Sequence, residues 1–325
     1  MLILACIICS GAYPLSGVQF ITVQEDRAGQ RLDNFLLSQL KGVPKSWVYR
    51  VIRKGEVRVN RKRCKPLQTL MAGDLIRIPP VRTSEARAPV VIKPEFASSL
   101  ESRILFEDDG MLIINKPYGM AVHGGSGVSL GLIEALRAAR PDAHFLELVH
   151  RLDKDTSGCL MVAKKRSFLK QLQQAIKDKQ VAKIYQCLVV GEWPEDITRV
   201  TAPLLKLSRQ SGERYVKVSV EGKPCLTTFE VLQRYRGYTL LKASPVTGRT
   251  HQIRVHCQFN RCPIVGDDKY CSEADLELAN RTGLDRLFLH AIRLELTHPL
   301  SNEQIMVDAD PGDKWYAGLE LLEQL

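Results

Sequence analysis

The chain has 325 residues, of which 46 are Lys or Arg and 36 are Asp or Glu, so its formal net charge is +10 at pH 7. Hydrophobic residues make up 45% of the chain, which excludes an intrinsically disordered protein and allows one large domain or two ordinary ones. A basic surplus of this size favours a polyanionic partner, nucleic acid before an anionic membrane. A basic protein without such a partner remains the alternative at this point.

The first residues are mostly apolar, but no Lys or Arg precedes the run and it is too short to span a bilayer. We treat residues 1–20 as an apolar head. A start codon assigned too far upstream, before about Val18, explains the head more simply than a signal peptide does. No later stretch reaches the roughly 18 uninterrupted apolar residues of a membrane helix, so we expect no membrane association.

Two helices and two short strands are predicted directly after this head. Apolar residues at helical spacing predict a helix over 31–40. A second helix is predicted to begin near Pro44, which suits a first helical turn, and to end at Gly55. Alternating residues over 56–60 and the apolar run at 75–78 predict two strands.

This segment, residues 21–80, also contains the densest positive charge in the sequence. Ten Lys or Arg residues lie between positions 41 and 65, with few acidic residues to pair with them, which favours a phosphate-binding surface over a merely solvated face. The helix–helix–strand order with Arg31-Leu-Asp33 at its start resembles the S4 RNA-binding domain. The candidate RNA-binding residues here are Arg50, Arg53, Lys54, Arg58, Arg61 and Lys62.

The rest of the chain is predicted to be a linker and a larger domain. Residues 81–95 contain two prolines and little periodicity, which is typical of a linker. In residues 96–325, strand patterns follow one another with turns between them, so we predict an α+β fold built on a mainly antiparallel sheet. Strands are predicted over 111–114, 160–163, 185–190, 215–220, 227–232, 239–243 and 287–296, and helices over 130–140, 167–179 and 250–259.

Residues 150–158 of this domain read His-Arg-Leu-Asp-Lys-Asp-Thr-Ser-Gly. Arg151 and Asp153 are two positions apart, so they project to the same side of an extended backbone. The turn residues that follow offer backbone N–H groups to a carboxylate or a phosphate. Taken alone, this stretch is a surface loop with an Arg–Asp ion pair.

Three further stretches are equally weak when each is taken alone. Tyr185, in the strand pattern 183–191, is more often a core tyrosine than a catalytic one. In the segment 248–256, Thr250 is the predicted helix N-cap, and His251 and Arg254 lie three positions apart on one helical face. The last stretch, which spans residues 287–299, alternates as a strand does and contains two histidines.

In this order the four stretches resemble the RluA family of RNA pseudouridine synthases. The family's central motif, His-Arg-Leu-Asp followed by Thr-Ser-Gly, is present at 150–158. The strand tyrosine, the Gly-Arg-Thr-His-Gln-Ile-Arg segment and the Leu-His-Ala to His-Pro strand fall where the family has them. The resemblance extends from about residue 20 almost to the C-terminus. Stretches 41–60, 121–127, 145–158 and 211–224 resemble family members that act on large-subunit (23S) ribosomal RNA.

The resemblance implies conversion of uridine to pseudouridine in structured RNA, with Asp153 as the catalytic carboxylate. That carboxylate acts either as a nucleophile at C1′ or as a base for the 2′ proton. Tyr185 matches the family tyrosine that stacks on the target base. The arginine that pairs with the aspartate is Arg254, with Arg249 as the reserve, and Arg151 matches the arginine that fills the hole left by the flipped nucleotide. The other candidate RNA contacts of this domain are His150, Thr156, Arg249 and His251.

No cofactor or metal is expected. The sequence contains neither a phosphate-loop motif nor a dinucleotide-binding fingerprint. Zinc ligands usually come as two close Cys or His pairs; Cys6 and Cys9 have no second pair nearby, and His251, His256 and Cys257 overlap the helix motif. The cysteine count of nine is odd and the spacing is scattered, which is typical of reduced thiols and hence of a cytoplasmic protein.

Three other functions remain open. A non-catalytic RNA-binding protein would need the basic segment but not Asp153, Tyr185 and the arginines together. A glycoside hydrolase would need two carboxylates flanking the scissile bond, and Asp155 is the nearest second candidate. A synthase of the same family could act on other ribosomal or transfer RNA uridines. The oligomeric state expected by default is a monomer.

Overall fold

The chain folds into two compact units, residues 1–89 and residues 90–325. The predicted apolar head up to residue 16 and most of the predicted linker lie outside the described residues. Within the described parts of the chain, no helix is both long and apolar enough to cross a membrane. The computed structural model describes residues 17–40, 43–81, 92–124, 130–208 and 214–324.

The first unit is a four-stranded antiparallel sheet, in the order β1-β4-β2-β3, with two helices. Both predicted helices are present, and the second ends at Gly55, whose φ of +73° is the left-handed conformation of a helix C-cap. The strand that precedes the helices is not predicted, because its first residues fall in the apolar head. The elements are β1 (Gln19–Thr22), α1 (Leu32–Gln39), α2 (Lys45–Lys54), β2 (Arg58–Val59), β3 (Lys62–Arg63) and β4 (Leu75–Ile78), with a 3₁₀ turn at Glu25–Arg27.

A buried carboxylate joins the two helices of this unit. Asp33 is 1% exposed and accepts hydrogen bonds from the Arg31 guanidinium, at 2.5 Å, and from the Tyr49 hydroxyl, at 2.6 Å. Burial opposes the charge on Asp33, but these hydrogen bonds outweigh it and lower the pKa of the carboxyl group. The Arg-Leu-Asp signature therefore fixes α1 against α2, whose apolar faces form one core with the sheet.

The second unit is built on one large sheet, in the order β10-β13-β14-β9-β15-β8-β6-β5, with β7 beside β8 and β16 beside β15. Among the described strands of this sheet, β15 and β8 pair in parallel and the other pairs are antiparallel. The prediction of an α+β fold with a mainly antiparallel sheet is thus confirmed. Its strands are β5 (Ile104–Glu107), β6 (Met111–Lys116), β7 (Glu147–Leu148), β8 (Ser157–Ala163), β9 (Ala182–Val190), β10 (Arg199–Val200), β13 (Thr227–Tyr235), β14 (Tyr238–Pro245), β15 (Leu289–Thr297) and β16 (Gln304–Asp308).

Strand β8 lies near the centre of the sheet, and all of its residues are buried. Helices and one hairpin complete the unit, and the hairpin strands are β11 (Leu204–Ser208) and β12 (Arg214–Val218). The helix α3 starts at Pro94, so the last two residues of the predicted linker are helical, as suits proline in a first turn. The helices are α3 (Pro94–Glu101), α4 (Leu132–Ala139), α5 (Arg166–Lys177), α6 (Gln252–Phe259), α7 (Glu273–Arg281) and α8 (Asp313–Glu323).

Candidate active site

A pocket of about 260 Å³ in the second unit gathers the predicted site residues of that unit. It lies where the loop before β8 meets the first turn of α6 and the strand β9. Residues from stretches more than 100 positions apart thus meet, although each stretch alone is undistinguished. The lining includes His150, Arg151, Asp153, Thr156, Lys183, Tyr185, Arg249, His251 and Arg254.

The loop that carries Asp153 is held firmly at both ends. Leu152 is buried, and the Thr156 N–H donates to the Asp153 carbonyl at 3.3 Å, so the chain turns just after Asp153. Gly158 has a φ of +107°, and a side chain there would approach the Ala291 carbonyl oxygen of β15 to 2.3 Å. A glycine is therefore required at this position, where the loop enters the central strand.

Two basic side chains of α6 face the Asp153 carboxylate. Arg254 Nη1 lies 3.5 Å and His251 Nε2 lies 3.7 Å from Asp153 Oδ2. His251 is the N-cap residue before α6 and Arg254 lies in its first turn, and both groups reach the same oxygen. Arg249, the reserve partner, is exposed at the pocket lining, and its backbone N–H donates to the Gln252 side chain.

The stronger partner of Arg254 is a carboxylate that the sequence analysis misses. Arg254 Nε and Nη2 donate to the two oxygens of Asp267 at 2.7 and 2.6 Å, and Asp267 is fully buried. Burial opposes the charge on Arg254, but the hydrogen bonds from Arg254 to Asp267 outweigh it and raise the pKa of the guanidinium. The expected pairing with Asp153 is thus the longer of two contacts, because Asp267 takes the bidentate one.

The first turn of α6 differs from the prediction. The N-cap is His251, with a φ of +53°, and not Thr250. The Gln252 side chain explains the difference, because its Oε1 accepts from the Thr247 hydroxyl and the Arg249 N–H and so stabilises the turn without a threonine cap. The left-handed conformation of His251 places its ring beside Asp153.

His251 is held from its other side by a second residue that the sequence analysis misses. The Tyr270 hydroxyl lies 2.8 Å from His251 Nδ1, and the Tyr270 ring lies 5.2 Å from the Arg254 guanidinium carbon. Burial lowers the pKa of His251, although the charge of Asp153 opposes this. Neutral His251 with the proton on Nε2 accepts from Tyr270 and points N–H towards Asp153. Asp267 and Tyr270 lie in one short loop, so a single segment positions both neighbours of Asp153.

Tyr185 and Lys183 come from one face of β9, since they are two positions apart. Tyr185 is 9% exposed, and burial together with the Asp153 charge raises the pKa of its phenol. It therefore stays protonated at neutral pH and can donate a hydrogen bond. Burial lowers the pKa of Lys183. This lysine lies within the strand pattern 183–191, but the sequence analysis does not predict its place in the pocket lining.

His150 and Arg151 flank the pocket in different ways. His150 Nε2 accepts from the Met161 N–H at 3.2 Å, and burial, with the Lys183 charge, lowers the pKa of the imidazole to about 4. A neutral ring bound to β8 supports the loop, so His150 is less suited to contact RNA than predicted. Arg151 is exposed at the pocket lining. Thr156 is buried and closes the turn.

Behind the loop lies a buried polar chain. The Ser157 hydroxyl lies 2.8 Å from His290 Nδ1 and accepts from Arg286 Nη2 at 2.7 Å, and His290 Nε2 donates to the Ala309 carbonyl at 2.9 Å. These partners fix His290 as the neutral ring protonated on Nε2. Burial lowers its pKa to about 4. The end of the loop that carries Asp153 is therefore connected through Ser157 to Arg286, His290 and Ala309 in the C-terminal part of the chain.

We expect His290 to make folding stability depend on pH between about 4 and 6.5. The folded-state pKa is about 4, below the ordinary 6.5, so the unfolded chain binds the proton more readily and stability falls as the pH drops through this window. His290→Gln should flatten the fall by up to about 1.4 kcal/mol per pH unit. Urea midpoints of both proteins at a series of pH values test this. Parallel curves would contradict it.

The six basic candidates of the first unit lie on or next to α2 and the β2–β3 turn. Arg50, Arg53, Lys54, Arg61 and Lys62 are exposed, and Arg58 is half-buried. Arg61 has a φ of +67° in the turn between β2 and β3. Among the described residues, no carboxylate forms an ion pair with any of the six. The charge in this unit is therefore available to a polyanion.

Comparison with known families matches both units. The sequence profile of the S4 domain matches residues 30–76. The profile of the RNA pseudouridylate synthase family matches residues 110–259, which include Asp153, Tyr185 and Arg254. Both resemblances noted in the sequence are thereby confirmed.

Proteins named ribosomal large subunit pseudouridine synthase C are similar to the chain over nearly their whole length. The protein of Pasteurella multocida (strain Pm70) is 55% identical over 304 residues, which cover 93% of this chain and 93% of that protein. The one from Escherichia coli (strain K12) is 55% identical and covers 90% of this chain and 92% of that protein. For Haemophilus influenzae the identity is 52%, with 95% and 96% covered.

Two solved structures share the fold. The structure entitled Human RNA Pseudouridylate Synthase Domain Containing 4 has a TM-score of 0.59 and 28% identity, with 70% of this chain and 96% of that chain covered. Human RNA Pseudouridylate Synthase Domain Containing 1 has a TM-score of 0.54 and 27% identity, with 67% and 86% covered.

Proposed function

The chain belongs to the family of RNA pseudouridine synthases, and on that premise we propose that it converts specific uridines of large-subunit (23S) ribosomal RNA to pseudouridine. The observation that carries the proposal is one pocket in which Asp153 faces Arg254, His251 and Tyr185. The substrate follows from relatives of 52–55% identity that bear the name ribosomal large subunit pseudouridine synthase C.

Asp153 supplies the carboxylate at the sugar. The reaction breaks the N1–C1′ bond, turns the uracil and forms a C5–C1′ bond, after which C5 loses a proton and N1 gains one. In one route an Asp153 oxygen bonds to C1′ as N1 departs with the electron pair, and C5 later displaces it. In the other, Asp153 takes the 2′ proton as the N1–C1′ bond breaks, and returns it when C5 bonds to C1′. Both routes need the negative charge of Asp153.

The neighbours of Asp153 divide the remaining work. Arg254 lies 3.5 Å from the carboxylate and stabilises its charge without a bidentate bond that would cover both oxygens. One Asp153 oxygen is therefore left to face the ribose. Tyr185 presents an aromatic ring for stacking and a protonated hydroxyl close to the reacting base.

A pocket of about 260 Å³ suits one base and not a stacked duplex. The glycosidic bond is inaccessible within stacked RNA, so the uridine must be flipped out to reach Asp153. Arg151, exposed at the pocket lining, is placed to occupy the gap in the stack. Flipping costs least in loops and at weakly paired sites, which favours structured RNA with unpaired uridines.

The basic surface of the first unit contributes affinity through phosphates, which position a protein on RNA without reading its sequence. We further propose that the protein acts on ribosomal RNA as a monomer in the cytoplasm. The catalytic candidates all lie in the second unit.

We expect Arg61→Gln with Lys62→Gln to weaken RNA binding far more than it slows chemistry on bound RNA. Each lost phosphate contact flattens the plot of log affinity against log salt by roughly 0.7–0.9. Binding titrations at several salt concentrations, with single-turnover rates at saturating protein, measure both effects. The control is Lys170→Gln with Lys314→Gln, which removes two exposed cations from the second unit. Equal slopes for the two double variants would show that the S4 surface carries no special phosphate contacts.

The proposed function is tested with purified protein and unmodified RNA. Large-subunit ribosomal RNA, small-subunit ribosomal RNA and transfer RNA, each transcribed in vitro, are incubated with the protein without metal or nucleotide, and pseudouridine is mapped. We expect modification at a few sites in the large-subunit RNA. Modification confined to transfer RNA would support the proposed activity and refute the proposed substrate. No pseudouridine in any of the three would refute the function.

A further inference from the structure

A second cleft lies beside the loop that carries Asp153. Its volume is about 460 Å³, within the range of small-molecule sites. Asp153 lines the first pocket, and the next residue, Lys154, lines this cleft. Consecutive Cα atoms are about 3.8 Å apart, so the linings of the pocket and the cleft come close together at this point of the loop.

The ring of Tyr118 forms a rigid wall of this cleft. One face of the ring is covered by the Arg286 guanidinium, whose carbon lies 4.8 Å from the ring centre. Tyr118 is nevertheless 42% exposed and lines the cleft, so part of its side chain is accessible to a ligand there. Arg286 is itself 7% exposed and donates to Ser157 in the turn after Asp153. The Tyr118 ring is thus packed against the buried Arg286 guanidinium, which also holds the loop that carries Asp153 through Ser157.

The loop that presents Tyr118 is fixed by a buried lysine. Lys116 Nζ donates to the carbonyls of Pro117, Met120 and Lys154, at 2.9, 2.7 and 2.8 Å. These three bonds tie both ends of the Tyr118 turn to the loop that contains Asp153 and Lys154. These bonds therefore hold the Tyr118 turn next to Lys154 before any ligand arrives.

The cations that line the cleft are complementary to RNA phosphates, while the charges of Asp155 and Asp285 act on Tyr118 from outside the lining. Arg103 and Lys154 are exposed at its lining, and no carboxylate contributes to the lining among the described residues. Phe96 of α3, 38% exposed, adds a second aromatic surface. Exposed aromatic rings flanked by cations are the chemistry that binds unpaired nucleotides, because bases stack on the rings and phosphates pair with the cations.

We propose that this cleft binds an unpaired nucleotide of the substrate RNA next to the target uridine, with its base stacked on Tyr118 and its phosphates beside Arg103 and Lys154. The inference rests on the proposed function, because the RNA it concerns is the substrate. Any base can stack on an aromatic ring, so the cleft selects for an unpaired nucleotide near the uridine and not for a particular base. It makes the local loop structure of the RNA a determinant of which uridines are modified.

The test compares Tyr118→Ala and Tyr118→Phe with the wild-type chain on unmodified 23S ribosomal RNA transcribed in vitro. Base stacking on one ring predicts roughly 5- to 150-fold weaker binding for Tyr118→Ala. Tyr118→Phe keeps the ring and should bind as the wild type does. Tyr316→Ala removes another tyrosine, 47% exposed on α8, and should also bind normally.

Salt dependence separates stacking from charge. Tyr118→Ala should leave the slope of log affinity against log salt unchanged, since no phosphate contact is lost. Lys154→Gln should flatten the slope by roughly 0.7 for one single-strand phosphate. Ultraviolet crosslinking of the wild-type complex, read by mass spectrometry, should attach a nucleotide to the peptide that contains Tyr118.

Wild-type affinity for Tyr118→Ala together with no crosslink at Tyr118 would overturn the proposal. Should Tyr118→Ala fail to fold, the crosslink on the wild-type chain decides by itself. Pseudouridine is mapped in the same reactions. Absence of pseudouridine with weakened Tyr118→Ala binding would refute the proposed function and leave the cleft as an RNA site. Pseudouridine formation with no effect of Tyr118→Ala and no crosslink would support the proposed function and refute the cleft as an RNA site.

Discussion

Asp153→Asn is expected to reduce pseudouridine formation to below about 1% of the wild-type rate while RNA affinity stays within about twofold, because a charge used only in the chemical step is lost. Asparagine keeps the shape of the side chain, but it can neither bond to C1′ as a carboxylate does nor take the 2′ proton. Single-turnover rates and binding constants on the same RNA measure the two effects separately.

Asp155→Asn is the matched control, since Asp155 lies two residues further along the same loop and is half-buried. We expect this variant to retain most of its activity. Comparable losses in both variants would favour a pair of carboxylates working together, as in glycoside hydrolysis, and would contradict the single-carboxylate mechanism. Turnover of Asp153→Asn above a few per cent of the wild-type rate would remove Asp153 from its assigned role.

Asp267→Asn should lower kcat by roughly a hundredfold with little change in KM, because small displacements of a catalytic neighbour have effects of that order. Asp267 accepts both strong hydrogen bonds of Arg254, which leaves the guanidinium a single longer contact with Asp153. Without the Asp267 charge, Arg254 is free to turn fully onto Asp153 and cover the carboxylate that faces the ribose in the proposed mechanism. The variant should also be less stable, by about 3–5 kcal/mol, since a buried ion pair has lost one partner.

The neighbouring aspartate provides the control for this prediction. Asp268 also lies 3.5 Å from Arg254 Nη2, but it is 73% exposed, so Asp268→Asn should change kcat and thermal stability very little. Assays well below the unfolding temperature separate the catalytic effect from the stability effect. An unchanged kcat for Asp267→Asn would show that Arg254 holds its position without this carboxylate.

Features that depend on local sequence are the ones that sequence analysis predicts well. The apolar faces of α1 and α2 and the left-handed Gly55 follow from helical periodicity and glycine conformation. The family motifs single out Asp153 and Tyr185 as candidates, which no spacing rule distinguishes from a surface aspartate and a core tyrosine. These predictions use only residues that are close together in the sequence, and they need no contact between distant segments.

Features that depend on contacts between distant segments could not be predicted in this way. The bidentate partner of Arg254 lies in a loop with no periodic pattern, and so does Tyr270, which holds His251. Arg286 reaches Ser157 across 129 positions of sequence. The N-cap of α6 is His251 and not the predicted Thr250, because the Gln252 side chain satisfies the turn that a threonine would otherwise cap. In each case the decisive partner is supplied by tertiary packing.

The most direct test of the proposed function is complementation in Escherichia coli K12 that lacks its 55% identical relative, ribosomal large subunit pseudouridine synthase C. Pseudouridines in large-subunit ribosomal RNA are mapped at single-nucleotide resolution in the deletion strain, and again after expression of this chain or its Asp153→Asn variant. We expect the wild-type chain to restore the sites lost on deletion and the variant, present at equal level, to restore none. Failure of the wild-type chain to restore any site, or restoration by both proteins, would contradict the account.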